Sequence, residues 1–512
     1  MQTLDLIIIV VYLLAMPVIG VLLSGRQRTS TGYFIGNRQM SWWLVTLSVV
    51  ATETSTLTVI SVPTVAYLGN ITYLQLAIGY LIGRTLVAFV LLPKYYTGNL
   101  VSAYGFLGQR FGGGMQGTAS VTFLFTRLLA DGLRLFATAI PVKVMLEAFG
   151  LDAAYWQIVL AIALFSVIYT YIGGIRAVIW VDAIQMTIYM LGAVLAVILL
   201  SGELPAGWFG DAVDAGKFQL LEFSSSIVTD QYAFITAVVG GALFSMASHG
   251  VDQLMVQRLL ACRTVRDSQK AVIASGVVVF IQFALFLIVG VMLWSFYGGA
   301  DPEALGLGQG DEIFSQFIVN EMPSGLAGLL IAGILAAAMS TISSSLNSLS
   351  TSTVSDLYRR FTKRELSDAT VLRQAKMWTL IWAGVFVVFA SIFAETTATD
   401  HPVVEIALSI ASYTYGALLG AFFLGMFVRR ASQADAIAGF VTTLAVTAVF
   451  VFGVTFTVDG EELPLAFPWY TPLGIVVTLL VGGGLSLRHR RQHPGQDATS
   501  TVDAGNPPHG NT

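Results

Sequence analysis

The sequence has little charge and almost no cysteine. Only 11% of its 512 residues are charged, whereas soluble domains carry about a quarter. The lone cysteine, Cys262, excludes an intramolecular disulfide. Because 55% of the residues are hydrophobic, we predict a polytopic membrane protein that lies in the lipid bilayer. We expect no nucleic-acid partner, and the net charge is only −4.

Motifs for enzymatic chemistry are also missing. The chain contains no HExxH, GxSxG or Walker sequence and no set of cysteines for a metal. We therefore expect no enzyme, and we expect any energy for transport to come from an ion gradient. The first apolar run has Asp5 ahead of it instead of basic residues, so it is predicted to be a membrane helix and not a signal peptide.

Thirteen apolar segments meet or approach the ~20 residues that a bilayer requires. They lie near 4–24, 42–68, 72–93, 117–146, 153–172, 177–201, 232–257, 271–298, 323–353, 375–395, 402–428, 434–456 and 469–487. Strict alternation of polar and apolar residues is missing, so helices are expected and not a barrel. We predict an all-α membrane domain at 1–487 and a disordered tail at 488–512.

Basic residues mark one side of this domain. Of the 26 lysines and arginines, 21 fall in alternate gaps or in the tail, whereas the opposite side has only Lys143 and Lys217. The positive-inside rule puts the N-terminus outside the cell membrane and the C-terminus in the cytoplasm. Five spans at 42–201 precede five at 232–428, and an odd number inverts the second unit, as in inverted-repeat transporters.

The segment AGILAAAMSTISSSLNSLSTST, at 332–353, combines an apolar start with a dense run of hydroxyls. Ser340, Ser344, Asn347 and Thr351 share one helix face. Small hydroxylated residues allow close helix packing, and they also offer the oxygen ligands that sodium prefers. Both interpretations stay open on this segment alone.

The stretch 51–56, Ala-Thr-Glu-Thr-Ser-Thr, is polar at mid-membrane depth. Its hydroxyls compete for backbone hydrogen bonds, so a helix break with free carbonyls is expected. A charged residue here costs a few kcal/mol unless it is paired or wet. Glu53 therefore either pairs with an arginine or belongs to a site, together with its neighbour Ser55.

Charged and polar residues also fall in spans three, four and seven. Arg134 either neutralises Asp131, three residues earlier on the helix, or clamps a substrate carboxylate. Around Gly250, His249 and Asp252 mark another interruption, where the histidine is either structural or a proton relay. Gln257 and Arg258 follow at the inner boundary, where an anchor or a gate is expected.

Four motifs resemble the sodium:solute symporter family: IYTYIGGIRAVIWVDAIQM, DQLMVQRLL, SAYGFLGQRFGG and GILAAAMSTISSSLNSLSTSTVSDLY. The resemblance runs from about residue 5 to 430. It implies a five-plus-five inverted-repeat fold with about 13 helices, one leading and two trailing, that works by alternating access.

By the same resemblance, the family's shared sodium site maps onto five residues. They are the carbonyls of Ala51, Thr54 and Ala337 and the hydroxyls of Ser340 and Thr341. A second sodium, which some members bind, would take Asp182, Ser340, Ser343 and Ser344, all of which carry oxygen.

The substrate is less defined, because Glu53 stands where the sugar branch of the family has asparagine. Buried charges favour a carboxylate, a zwitterion or a polar organic anion over a neutral sugar. The substrate residues we expect are Glu53, Ser55, Arg134, His249 and Asp252. The predicted function is sodium-coupled uptake of a small organic solute; the alternatives are proton coupling and a sensor without transport.

Overall fold

The computed structural model describes residues 3–98, 100–307, 312–362, 366–396, 403–458 and 460–488. Most of these residues lie in helices, so the predicted all-α class is confirmed. The strands among them form one short antiparallel hairpin, β1 (Thr455–Val458) with β2 (Glu461–Pro464), which was not expected. All of the predicted tail beyond Arg488 lies outside the described residues.

Twenty helices are described, and short 3-10 or π-helical turns between them carry no label. They are α1 (Thr3–Ser24), α2 (Ser30–Ile35), α3 (Trp42–Glu53), α4 (Thr56–Leu68), α5 (Leu74–Leu86), α6 (Leu92–Thr97), α7 (Gly105–Phe111), α8 (Gly113–Ala148), α9 (Tyr155–Glu203), α10 (Trp208–Asp214), α11 (Gly241–Gly250), α12 (Gln253–Leu259), α13 (Val265–Phe296), α14 (Glu312–Asn320), α15 (Leu326–Ser352), α16 (Arg359–Thr362), α17 (Asp368–Thr396), α18 (Val403–Phe427), α19 (Gln433–Gly453) and α20 (Tyr470–Ser486).

Within the described residues, nine helical stretches are long and apolar enough to cross a membrane, or ten if the bent pair α3–α4 counts as one span. This figure counts α9 once, although its 49 residues rise about 74 Å, more than twice the ~30 Å hydrocarbon core. A polytopic helical membrane protein is confirmed, and the figure of thirteen spans stays a prediction.

A kink at Gly174 divides α9 into two helical halves. Gly174 has φ 54° and ψ −148°, a conformation that is essentially restricted to glycine. A Cβ atom added there would also lie 2.6 Å from the carbonyl oxygen of Tyr33. The predicted loop between the spans at 153–172 and 177–201 is therefore reduced to one non-helical residue.

Each structural repeat begins with a broken helix. In the first repeat, α3 and α4 are separated at Thr54–Ser55, and the axes on either side are bent by 61°. In the second, α11 ends at Gly250 and α12 begins at Gln253. The order of the helices, with α3–α9 and α11–α18 between a leading α1 and a trailing α19–α20, is the one expected of two five-span repeats.

Helix α15 occupies the centre of the molecule. In the most apolar 18-residue stretch of this helical segment, 89% of the residues are buried in the protein, compared with 28% for α1 and 17% for α17. Its alanine, glycine and serine residues permit close approach to neighbouring helices. The hydroxyl stripe therefore faces protein on every side and not lipid.

Candidate substrate and sodium sites

A cavity lies beside both helix breaks, enclosed by α3–α4, α5, α8, α11–α12, α13 and α18. Water-sized molecules have about 60 Å³ of room within it. Its lining is Thr52, Glu53, Ser55, Thr58, Tyr73, Tyr80, Arg127, Arg134, Phe244, Ser248, His249, Leu254, Met255, Phe283, Leu408, Ala411 and Tyr415. Four of the five predicted substrate residues line it, and the fifth, Asp252, lies directly behind Arg127.

Glu53 reaches the cavity from the end of α3 and forms an ion pair with Arg84 of α5. Arg84 is fully buried and also donates a hydrogen bond to Ser275 at 3.0 Å. His249 Nε2 lies 3.7 Å from the Glu53 carboxylate, beyond hydrogen-bond distance. Glu53 thus has the arginine partner that its burial requires, while 16% of its side chain stays exposed to the cavity.

Asp131 of α8 lies between two arginines. It accepts from Arg127 at 3.4 Å and from Arg134 at 3.3 Å, and Ser345 of α15 donates to its other oxygen. Arg127 also donates to Asp252 and Tyr415, so both of its terminal nitrogens have partners, although its Nε has none among the described residues.

Arg134 has fewer partners than Arg127. Among the described residues, its ion pair with Asp131 is the one side-chain contact recorded for its guanidinium, and its Nε has no hydrogen-bond partner. The side chain is 15% exposed and lines the cavity. Because a guanidinium carries five donors in a planar fork, Arg134 retains unused donors that face the cavity.

The residues predicted for the first sodium come from two elements that touch. Where α3 ends, the carbonyls of its last turn lose their helical donors, and Ala51 lies in that turn. Helix α15 runs alongside: Thr56 donates to the Ile334 carbonyl at 3.2 Å, and the hydroxyls of Thr52 and Ser344 are 3.4 Å apart. These contacts bracket the predicted ligands at 337–341.

Asp182, in the second half of α9, is the centre of a fully buried polar cluster. Ser48 donates to it at 2.6 Å and Ser340 at 2.7 Å. Arg258 lies 3.2 Å from the same carboxylate and also donates to Ser344. Asp182, Ser340 and Ser344, predicted for a second sodium, are therefore together, whereas the Ser343 hydroxyl donates to the Ser340 carbonyl at 3.1 Å.

Gln257 and Arg258, for which an anchor or a gate was expected, do not form an anchor at the lipid surface, and the gate stays a prediction. Both side chains are fully buried on α12. Gln257 donates to Asn347 at 2.6 Å and to Thr351 at 2.9 Å, so the lower part of the hydroxyl stripe makes interhelical hydrogen bonds. The missed signal was the helix break at Asp252, because α12, which follows the break, packs against α3 and α15.

Comparison with known proteins identifies the class of transporter. The model of the sodium:solute symporter family matches residues 33–443. The sodium/sialic acid symporter SiaT of Proteus mirabilis (strain HI4320) is 32% identical over 441 residues, which cover 85% of this chain and 86% of the relative. The sodium/iodide cotransporter of Homo sapiens is 28% identical over 455 residues, covering 87% of this chain and 69% of the relative.

A solved structure of a substrate-bound, outward-open Na⁺-coupled sialic acid symporter, for which a novel Na⁺ site is described, superimposes with a TM-score of 0.84. It is 28% identical, and the match covers 96% of this chain and 98% of that one. The chain belongs to the sodium:solute symporter family.

It is accordingly a sodium-coupled secondary active symporter and a multi-pass membrane protein. The family members it matches are transporters and not enzymes. The predicted fold, family, function and coupling ion are confirmed, and neither proton coupling nor a sensor role is favoured.

Proposed function

We propose that this symporter takes up a small organic solute bearing a carboxylate, and that Arg134 binds that carboxylate. The observation that carries the proposal is the contrast between the two arginines beside Asp131. Arg127 is occupied by Asp252 and Tyr415, whereas Arg134 has one long ion pair and an exposed edge in the cavity. A guanidinium with free donors favours bidentate binding of a carboxylate.

Other residues that line the cavity favour a solute with hydrogen-bond donors. Glu53 presents carboxylate oxygens and Ser55 presents a hydroxyl, and His249 Nε2 has no hydrogen-bond partner among the described residues. Hydroxyl or amino groups of the solute would meet these acceptors. The named substrates of the two relatives, sialic acid and iodide, are both anions, and this supports an anionic solute for this chain.

For sodium, we propose the site of Ala51, Thr54, Ala337, Ser340 and Thr341, built from neutral oxygens beside the helix break. A second ion at Asp182, Ser340, Ser343 and Ser344 would share its carboxylate with Arg258, because that guanidinium already contacts Asp182. Without the buried Arg258, 20 of the 26 basic residues remain on one side, and we further propose that the N-terminus is outside and the C-terminus cytoplasmic.

Uptake into proteoliposomes tests this function. We would first screen organic acids and amino acids, including sialic acid, by thermal shift with and without sodium, and then measure uptake of each stabilising compound. We expect saturable uptake of a carboxylate driven by an inward sodium gradient. Uptake that follows a proton gradient and ignores sodium, or that prefers the uncharged amide of the same compound, would contradict the proposal.

Arg134→Gln tests the carboxylate contact directly. We expect its solute affinity to fall about 10- to 100-fold, since a charge-assisted hydrogen bond contributes about 1.5–3 kcal/mol. Sodium binding in the absence of solute should be retained. The matched control is Arg263→Gln, because Arg263 is an exposed arginine that donates only to the Gln39 carbonyl in the described structure. If Arg134→Gln bound solute normally but unfolded at a lower temperature, Arg134 would be a structural partner of Asp131 only.

A further inference from the structure

A second cavity is separate from the substrate cavity and is lined by four basic residues. It is formed by the chain after α1, the turn in the middle of α9 and the first turns of α17, and it measures about 500 Å³. We call it the basic cleft and define it by Arg26, Arg28, Arg373 and Lys376. The substrate cavity and the basic cleft share no lining residue.

The four cations of the basic cleft have no anionic partner among the residues that the structure describes. No acidic side chain lines the cleft, and none of the four takes part in a recorded ion pair or side-chain hydrogen bond. Asp368, at the start of α17, accepts hydrogen bonds from the backbone and side chain of Ser30. Four like charges around one cleft repel one another, so an anion bound among them is stabilised by all four.

Aromatic and apolar residues complete the lining. Lys376 Nζ lies 5.2 Å from the centre of the Tyr171 ring, a cation–π contact that holds the ammonium group beside the cleft. Ile172 and Leu372 form part of its wall. The lining of the cleft thus combines four basic side chains with aromatic and apolar ones.

The helices on either side of the cleft present apolar side chains outward. Leu22, one turn before Arg26, is 76% exposed, and Leu380, one turn after Lys376, is 49% exposed. On α9, Ile168 is 45% exposed. In a membrane protein such surfaces face lipid hydrocarbon, so the basic cleft lies where lipid-facing helices meet the headgroup region.

We propose that the basic cleft binds the phosphate headgroup of an anionic phospholipid, whose acyl chains lie against the exposed faces of α1, α9 and α17. Free phosphate shares the headgroup chemistry, but the exposed apolar residues that flank the cleft favour a ligand with apolar chains. A volume of about 500 Å³ suits a headgroup, since small-molecule sites measure about 300–1,000 Å³. Basic pockets between helices on the cytoplasmic side are suited to lipid headgroups.

The test compares two variants that lose the same charge on the same side of the protein. Arg373→Gln/Lys376→Gln removes two cations from the basic cleft. The control, Arg266→Gln/Lys270→Gln, removes two exposed cations near the start of α13, outside the cleft. Binding of phosphatidylglycerol, with phosphatidylcholine as the zwitterionic reference, is measured by native mass spectrometry of the purified full-length protein.

We expect the wild type and the control to retain phosphatidylglycerol in preference to phosphatidylcholine. The cleft variant should bind phosphatidylglycerol about 30-fold more weakly, since each lost charge near a lipid surface weakens binding about fivefold. If that variant fails to fold, Arg26→Gln/Arg28→Gln in the connection between helices replaces it, with the same expected loss.

Three results would overturn the proposal. Equal loss of phosphatidylglycerol in the cleft and control variants would mean that overall surface charge, and not the cleft, attracts the lipid. Equal retention of both lipids by the wild type would mean that the cleft does not recognise an anionic headgroup. Displacement of phosphatidylglycerol by millimolar inorganic phosphate would identify a site for a soluble anion.

Discussion

Replacing Arg258 by methionine would leave Asp182 as a buried carboxylate without a counter-charge. Both side chains are 0% exposed and their charged groups are 3.2 Å apart. Loss of one partner from a buried ion pair costs about 3–5 kcal/mol. Because Asp182 would keep the hydroxyls of Ser48 and Ser340 as donors, we expect Arg258→Met to cost about 3 kcal/mol, at the lower end of that range.

The opposite substitution gives the other half of a double-mutant cycle. Asp182→Asn leaves the Arg258 guanidinium buried without an anion, and we expect a similar loss of about 3 kcal/mol. The double variant leaves neither charge, so its loss should be about 3 kcal/mol less than the sum of the two single losses. Unfolding in mixed detergent micelles, followed by tryptophan fluorescence, measures all three. Additive losses would refute the idea that the pair stabilises the fold as a unit.

Sodium distinguishes a purely structural pair from one that occupies a cation site. If Arg258 and sodium compete for Asp182, sodium should stabilise Arg258→Met more than it stabilises the wild type. At sodium concentrations above the dissociation constant, each tenfold increase adds about 1.4 kcal/mol per additional ion bound. Choline at equal ionic strength is the control, and Asp182→Asn/Arg258→Met should show no extra effect. Equal stabilisation of Arg258→Met and the wild type by sodium would refute the competition.

Three further variants test other parts of the structure. Thr341→Ala, in the proposed first sodium site, should raise the sodium concentration for half-maximal uptake several-fold. The control is Ser350→Ala on the same helix, which should leave that concentration unchanged, because the Ser350 hydroxyl donates to the Ala375 carbonyl. Equal effects of the two substitutions would remove Thr341 from the site. Gly174→Ala should cost about 1–3 kcal/mol of unfolding free energy from backbone strain, whereas Gly202→Ala, with open space around it, should be nearly neutral in the same denaturation assay. Glu53→Gln should lower the melting temperature by leaving Arg84 unpaired, and adding Arg84→Met should restore part of it; no rescue would show that Glu53 acts independently of Arg84.

Local chemistry was sufficient to predict both helix breaks. The polar run at 51–56 and the cluster around Gly250 each place hydrogen-bonding side chains or glycine where a membrane helix needs apolar residues, and the helices end at Glu53 and Gly250. The close pair on α8 was also predictable, because residues three apart share a helix face, and Arg134 does contact Asp131.

Partners distant in the sequence could not be predicted in the same way. Arg84 pairs with Glu53 across 31 positions, Arg258 with Asp182 across 76, and Arg127 with Asp252 across 125. Helical periodicity relates residues within a few turns and says nothing about which helices become neighbours. The burial of Arg258 follows from the direction that α12 takes after its break, and that direction depends on the packing of the whole second repeat.

Many of the buried polar contacts connect one repeat to the other, and this has a consequence for transport. Asp182 belongs to the first repeat and Arg258 to the second; Arg127 belongs to the first and Asp252 to the second; Asp131 is bound by Ser345 of the second. Alternating access moves one repeat or helix bundle against the other, so any of these contacts that join two moving parts break or exchange partners during the cycle.

An unpaired buried charge is costly, which favours exchange over simple breaking. The two ligands supply the charges that exchange requires. Sodium can replace Arg258 as the partner of Asp182. Once sodium replaces it, Arg258 keeps hydrogen bonds to Ser344 and to the Leu254 carbonyl, which offset part of the cost of losing its carboxylate partner. A solute carboxylate can bind the free donors of Arg134, whose pair with Asp131 lies within α8. Tight coupling of solute to sodium would then follow from the cost of buried charge, because each ligand lowers the cost that opposes the motion needed to transport the other.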